Sequence, residues 1–597
     1  MLIAVVPGPG RSGVLCPVSV KSPLGEQDPL GEQGPVGEQA DGRLGVGAAD
    51  PAVLAPDLAA AIRDYERAGA VRWVWPATAE IYPALLRAGA RVERCHDVAL
   101  TEGLLLGREG ASGQPAFLAA AAARLRGLPI PAARQPARTG PQQSLFDLAD
   151  TAESGLGEAT AALADLVAVY AGQQARIAAD EHPGRFALLA AAESAGGLTA
   201  AEMSSAGLPW RGDVHDRLLT EVLGPRPAAA AGPSATAHPA RPARLAELSS
   251  QISAAFGTGR EINPDSPAQL VQALAGEGVR VSSTRLGVLR EIDHPAIPLL
   301  LEYKELSRLH AAFGWSWLDT WVSGGRFHPE YVVGGVVSGR WASRGGGALQ
   351  IPKVLRRAVV ADPGWVLVVA DAAQLEPRVL AALAGDQAFA EAAAAGDLYA
   401  ALASAFGGDR AIAKVALLSA MYGGSGGDAG QLLAILQRRF PRASAFVEAA
   451  AQAGENGRTV RSVLGRTCPP PSAAWRSATV GSGDPDADGD PGAGRAARAR
   501  GRFTRNFVVQ ASAADWAIVL LASLRRRLLA IGGGDAAPHL VFFQHDEVIV
   551  HCPAGLADQV VAAVTGAAQE AGRLLFGATR VSFPMTTAVV NCYADAK

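Results

Sequence analysis

The sequence predicts a multidomain α/β protein, and three observations carry that prediction. At 597 residues the chain is long enough for about three to five folding units, each with its own core. Short apolar runs of β type, such as VRWVW at 71–75 and WVLVVA at 365–370, alternate with stretches of helical periodicity. Two linkers rich in Pro and Ala, at 127–145 and 224–242, interrupt that alternation.

Taken in order, residues 1 to 50 read as a low-complexity loop or insertion, because Gly-Glu-Gln recurs at 25–27, 31–33 and 37–39 among Pro, Asp and Gly. From 51 to 125 a small α/β layer is expected: DLAAAIRDYERAGA as helix, VRWVW as strand and EIYPALLRAGA as helix. Helices resume after the first linker and run to 223, and 243–325 is again helical, with LLLEYKELSRLHAAF at 299–313 its clearest amphipathic segment. Beyond it YVVGGVV and WVLVVAD alternate with helices, the mark of a mixed α/β core. Residues 468–502 are acidic and Gly/Pro-rich, then Arg-rich, and are expected to be a mobile loop.

Composition excludes several classes. The net charge is −3, so any site for a polyanion must be local. No apolar run reaches the roughly 18 to 20 residues that span a bilayer. The start, MLIAVVPGPG, lacks a basic leader, so a soluble, cytoplasmic chain is expected. Five scattered cysteines form neither a disulfide framework nor a zinc motif. Lysine occurs only at 21, 304, 353, 414 and 597, so each lysine calls for a reason.

Chemistry concentrates in the second half. Asp371 follows VLVVA and Asp546 stands between LVFFQH and EVIV. A carboxylate at a strand end is rigid and half-buried, and two on adjacent strands can hold divalent cations about 3.5 to 4 Å apart, as phosphoryl transfer requires. An isolated aspartate there equally caps a turn. After Asp371, AAQLEPR brings Gln374, Glu376 and Arg378 near the strand tip, with Pro377 in the first helical turn. Upstream, Arg340, Arg344, Arg356 and Arg357 surround a glycine-rich turn. In DRAIAKVALLSAMYGGSGG, Arg410, Lys414, Leu418 and Tyr422 recur every four residues along one helical face. Two cations, an apolar residue and a ring suit a triphosphate and a base laid along that helix; solvated cations beside an ordinary core face are the alternative.

Together, DAAQLEPR, RAIAKVALLSAMYGG and QHDE resemble motifs A, B and C of the family A DNA polymerases, the bacterial DNA polymerase I type. The resemblance extends through SGRW, LQIP, RFTRNFVVQASAAD and the terminal VVNCYADAK, over about 185–597. It implies a right-hand polymerase of palm, fingers and thumb, preceded by an RNase H-like exonuclease-type domain. The expected divisions are 1–190 for that domain, 191–325 for a helical thumb, 326–387 for the first palm segment, 388–502 for the fingers and 503–597 for the second palm segment.

By the same resemblance Asp371 and Asp546 are the metal-binding catalytic aspartates, with Glu547 in support. Lys414 donates a proton to pyrophosphate and with Arg410 binds the triphosphate. Glu376 closes off the sugar 2′ position, and Gln374, Leu418, Tyr399 and Tyr422 line the nucleotide pocket. Arg340, Arg378, Arg502, Asn506, Gln510 and His545 face DNA. Two Mg²⁺ ions, with Mn²⁺ as a substitute, primer-template DNA and dNTPs are the implied cofactor and ligands. A monomeric enzyme of the cytoplasm, at the nucleoid, serving repair or gap filling, is the implied setting.

The chain departs from the family pattern at Leu418, where an aromatic is expected, at Ala372 and Ala373 in place of Tyr and Ser, and at Tyr399 in place of His. These changes fall on nucleotide contacts, so intact chemistry with altered nucleotide handling is expected; a DNA-binding repair scaffold with weak catalysis is the alternative. Before residue 190 no Asp-x-Glu lies on an apolar strand, and Asp97 in CHDVALTEG stands without the partners that two-metal exonuclease chemistry needs. The N-terminal domain is therefore expected to be a degenerate exonuclease, with Asp97 serving to cap a helix.

Overall fold

A computed structural model describes residues 1–21, 45–48, 52–132, 151–227, 241–257, 259–394, 397–404, 407–422, 429–479, 491–532 and 537–596. The chain divides into two compact units: Met1–Ser205 with Tyr331–Ala342 and Ala370–Thr587, and Ala206–Glu330 with Ser343–Val369 and Ala588–Lys597.

The first unit begins with strands where a loop is expected. LIAVVP forms the strand Leu2–Pro7 and GVLCPVSVK the strand Gly13–Lys21, paired antiparallel from Ile3↔Pro17 to Pro7↔Gly13. Residues 8–12, which include Gly8, Pro9 and Gly10, form the turn between them. The Gly-Glu-Gln repeat lies outside the described residues. Strand order in this sheet is Gly45–Ala48, Gly13–Lys21, Leu2–Pro7, Arg72–Trp75, Arg94–Asp97, with Val53–Ala55 also on Gly13–Lys21. Leu2–Pro7, Arg72–Trp75 and Arg94–Asp97 run parallel, in the register Leu2↔Arg72 and Trp75↔Asp97.

Helices Leu58–Ala68 and Thr78–Arg87 form where the periodicity predicts them. Ile3, Val5, Trp73, Trp75, Ile62 and Tyr82 bury one face of the sheet, and Ala4, Val74, Leu163 and Leu166 the other. Asp97 ends its strand at 2% exposure and caps the helix Val98–Arg108, accepting from the Leu100 N–H at 2.8 Å and the Thr78 N–H at 2.7 Å.

A second sheet is ordered His539–Gln544, Glu547–Pro553, Trp365–Ala372, Met585–Val590, and its hairpin of the first two strands lies wholly in the first unit. Val541, Phe542, Val548, Ile549 and Val550 are at 0% exposure, so this hairpin is buried on both faces. Helices Pro491–Ile531 and Ala557–Phe576 pack together beside it.

The expected mobile loop is corrected at both ends. Ala473–Thr479 is a helix, and residues 491–502 are the opening turns of Pro491–Ile531; only 480–490 lie outside the described residues. The arginine-rich segment GRAARARGR alternates Ala with Arg, good helix formers that extend a helix already anchored by Phe507, Trp516 and Leu520. The same helix corrects the expectation on apolar length. Gly492–Ile531 is long and apolar enough to cross a membrane by length and composition, yet 89% of its most apolar window is packed inside the protein.

The second unit is largely helical. Leu219, Leu223, Leu248, Ile252, Phe256, Leu270, Leu300 and Tyr303 form its core, supplied by Gly212–Leu223, Ala243–Ala255, Pro267–Gly276 and Ala296–Phe313. Of YVVGGVV, which belongs to the first unit, only Tyr331 and Val332 are strand, as the end of Glu330–Val332; Gly334 at φ 60° turns the chain after it.

Candidate active site

The site grows from two strand ends. Asp371 is the penultimate residue of Trp365–Ala372, and Asp546 sits in the two-residue connection between His539–Gln544 and Glu547–Pro553, whose register closes at Gln544↔Glu547. The Ala372 N–H donates to the Asp546 carbonyl at 3.0 Å, which holds the backbones beside both aspartates together. Both are half-exposed, while Glu547 next to them is 4% exposed.

Among the described residues no group of three His, Cys, Asp or Glu side chains stands ready to hold a metal. Two carboxylates nonetheless fit Mg²⁺, which binds through one or two protein carboxylates and completes its octahedron with water and substrate phosphate. Asp371 and Asp546 are the residues that would hold it.

Backbone strain marks the same place. Among the described residues, Gln374 at φ 56° and His545 at φ 57° are the non-glycine positions with positive φ. Such conformations persist only where surrounding contacts impose them. For Gln374 the contacts are plain: its Nε2 donates to Asp397 Oδ1 at 2.7 Å, and its Oε1 accepts from the Leu398 N–H at 2.8 Å. His545 lies at the surface, and desolvation together with the positive charge of Arg340 holds its imidazole below the usual pKa.

The helix Arg410–Tyr422 is fastened at both ends to residues that follow Asp371. At its start Arg410 Nε donates to Asp397 Oδ2 at 2.6 Å, and the guanidinium lies 5.5 Å from the centre of the Tyr399 ring. At its end the Tyr422 hydroxyl donates to Glu376, whose other oxygen accepts from Arg340. Burial, then the Glu376 bond, push the Tyr422 phenol well up, while Gln510 reaches the same hydroxyl. Between these ties Lys414 is exposed and Leu418 half-buried on the same face.

Arg502, Asn506 and Gln510 follow one another every four residues on Pro491–Ile531, exposed first and half-buried after. Asn506 Oδ1 is buried with no hydrogen-bond partner among the described residues.

Arg378 corrects its expected place among DNA contacts. It is 0% exposed, and its guanidinium donates to the Ala373, Ala393 and Ser582 carbonyls, the first at 2.8 Å and the last at 3.1 Å. Three backbone acceptors around a desolvated cation make it a strut of the Leu375–Ala384 helix.

Residues that the sequence left unmarked support the site. Asp397 carries an N-cap signal, Asp before LYAALA, and caps Leu398–Ala403 through the Tyr399 and Ala400 N–H groups at 2.9 and 3.1 Å. Its second role, gripping Arg410, depends on a contact that spacing does not reveal. Arg466, at 8% exposure, pairs with Glu193 and with Asp515 at 3.2 Å, and no periodic pattern links these positions.

The family model for DNA polymerase family A matches residues 237–590, more than half of the chain. The chain is 29% identical over 316 residues to the thermostable DNA polymerase I of Thermus filiformis, which covers 47% of this chain and 35% of that protein. It is 27% identical over 363 residues to DNA polymerase I of Deinococcus radiodurans, 53% of this chain and again 35% of that one. The aligned region thus spans about a third of the length of these relatives. Among solved structures, the POL domain of Pol1 from M. smegmatis, in complex with DNA primer-template and dNTP, shares the fold with a TM-score of 0.68 at 20% identity, covering 99% of this chain and 95% of that one. With the matched region running from the second unit's helices through Asp371, the Arg410–Tyr422 helix and Asp546, the chain belongs to DNA polymerase family A.

Proposed function

We propose that the chain is a DNA-templated DNA polymerase that adds dNTPs to a primer 3′-OH by two-metal-ion nucleotidyl transfer. The observation that carries this reading is the 3.0 Å bond joining the strand end of Asp371 to Asp546, in a unit where the Arg410–Tyr422 helix is tied to the residues after Asp371. When bound, Mg²⁺, or Mn²⁺ in its place, lowers the pKa of the primer hydroxyl and neutralises charge on the triphosphate.

The residues then have separate tasks. Asp371 and Asp546 supply the anionic oxygens, and Glu547, buried beside them, adds negative charge. Arg410 and Lys414 bind the triphosphate. As the primer 3′-OH gives up its proton to solvent and its oxygen bonds to the α-phosphorus, the α–β bridging bond breaks and Lys414 gives its proton to the departing pyrophosphate. Glu376, held by Arg340 and Tyr422, stands against the 2′ position of the sugar. Gln374, Tyr399, Leu418 and Tyr422 line the nucleotide, while Arg340, Arg502, Asn506, Gln510 and His545 meet primer and template.

The domain names follow the same reading: a helical thumb, fingers around Arg410–Tyr422, and a palm around Asp371 and Asp546. The N-terminal α/β sheet is read as a degenerate exonuclease, because Asp97 is consumed as a buried helix cap. Primer-template DNA and dNTPs as ligands, a monomeric state, and repair or gap filling at the nucleoid belong to this reading too.

One experiment tests it: end-labelled primer-template with Mg²⁺ and dNTPs, wild type beside Asp371→Ala. Extension by the wild type and at least about a thousandfold loss in the variant are expected. Inert binding by the wild type points to a scaffold, and shortening of the primer refutes the degenerate-exonuclease assignment.

A further inference from the structure

The orientation of Arg410 has a cause on the protein side. We infer that Asp397 is the positioning residue that presents Arg410 to the triphosphate, a role that rests on the polymerase reading above. Asp397 divides its carboxylate between two jobs. Oδ1 accepts from Gln374 Nε2 at 2.7 Å and from the Tyr399 and Ala400 N–H groups at 2.9 and 3.1 Å, which locks it to the start of Leu398–Ala403. Oδ2 accepts from Arg410 Nε at 2.6 Å.

The choice of nitrogen matters. A carboxylate held on Nε fixes the plane of the guanidinium and leaves the two terminal nitrogens, a fork suited to two phosphate oxygens, pointing away from it. Arg410 itself is exposed, so those nitrogens face solvent, and the Tyr399 ring 5.5 Å away supports the guanidinium plane. A second consequence follows from Gln374. Its left-handed backbone at φ 56° is held through Asp397 and Leu398, so one carboxylate ties the turn after Asp371 to the first residue of the nucleotide-facing helix. Side-chain entropy is thereby spent before the nucleotide arrives, and the benefit falls on nucleotide affinity.

The test is a kinetic cycle on recessed primer-template with a single next dNTP, using wild type, Asp397→Asn, Arg410→Ala and the double variant. Asparagine keeps an oxygen for the Oδ1 contacts and removes the charge on Oδ2. Loss of one charge-assisted bond is expected to raise the dNTP KM about tenfold in Asp397→Asn with kcat within about twofold. In the Arg410→Ala background the same substitution is expected to change KM by less than about twofold, because its target is gone. An unchanged KM in Asp397→Asn, or a full rise that persists without Arg410, overturns the inference. Asp397→Glu, which restores the anion, is expected to recover part of the lost affinity; equal KM for the Glu and Asn variants also counts against it. If the wild type itself fails to extend the primer, the polymerase reading fails instead.

Discussion

Arg466 underlies the segment that carries Arg340, and its replacement by alanine gives the sharpest stability prediction. Its guanidinium pairs with Glu193 and donates from Nε to Asp515 at 3.2 Å, with Glu193 2% and Asp515 0% exposed. Gly339, at φ 85°, lies so close that a Cβ there would fall 2.3 Å from Arg466 Nε. The cluster thus holds two carboxylates against one cation, and desolvation already pushes both acids above their ordinary values while Arg466 pulls them down. Arg466→Ala leaves both acids buried without a counter-ion, which costs about 3 to 5 kcal/mol.

The pH dependence has a definite sign. In the variant both acids rise further, so the folded chain holds protons that the unfolded chain releases. Stability therefore falls as pH rises above the unfolded carboxylate value near 4, and the deficit shrinks as pH is lowered from about 8 to about 5. Urea unfolding followed by tryptophan fluorescence at both pH values checks this. A deficit under about 1 kcal/mol at pH 8, or one that grows on acidification, refutes the reasoning.

Other positions give independent tests. Arg378→Ala removes a buried cation from three carbonyls and is expected to cost about 3 kcal/mol, while the folded fraction keeps its affinity for primer-template within about twofold; selective loss of DNA binding at unchanged stability contradicts the strut assignment. Leu418→Phe adds a ring on the Arg410–Tyr422 helix, proposed above to face the nucleotide, and is expected to lower the dNTP KM about three- to tenfold in steady-state extension; no change, or a rise, counts against Leu418 lining the pocket. Burial holds the His96 and His215 imidazoles down at about 4, so both remain neutral in the fold. The unfolded chain takes up protons first, so each histidine costs about 3 kcal/mol as pH drops from about 6.5 to about 4 and nothing above that window. Thermal unfolding from pH 7 to 4 measures it, and a flat profile contradicts it.

Much of the site was legible because family motifs are local. DAAQLEPR places Asp371, Gln374 and Glu376 within one strand-to-helix turn, and the four-residue spacing of Arg410, Lys414, Leu418 and Tyr422 fixes one helical face. Helices Leu58–Ala68 and Ala296–Phe313 were equally readable, since apolar periodicity survives in any context. Composition misled where it stood in for structure. The first strands, Leu2–Pro7 and Gly13–Lys21, are hidden beside a repeat, and the Arg-Ala segment after 491 reads as part of a mobile loop although it continues a buried helix.

Arg378 shows the limit most clearly. It lies in the same motif as Glu376, and sequence assigns both to a ligand; only folding reveals that one guanidinium is enclosed by the Ala373, Ala393 and Ser582 carbonyls. Asp397 is the converse case, an ordinary helix cap in sequence that the fold brings to Arg410.

Local sequence specifies which side chains of the site exist and in what order along the chain, because strand ends, helical stripes and caps depend on neighbours within a turn or two. The tertiary structure decided which of them meet. Ala372, next to Asp371, donates its backbone N–H to the Asp546 carbonyl, Glu376 joins Arg340 to Tyr422, and Arg466 lies between Glu193 and Asp515. Charge pairing and burial act through space, over separations along the chain that no local pattern records.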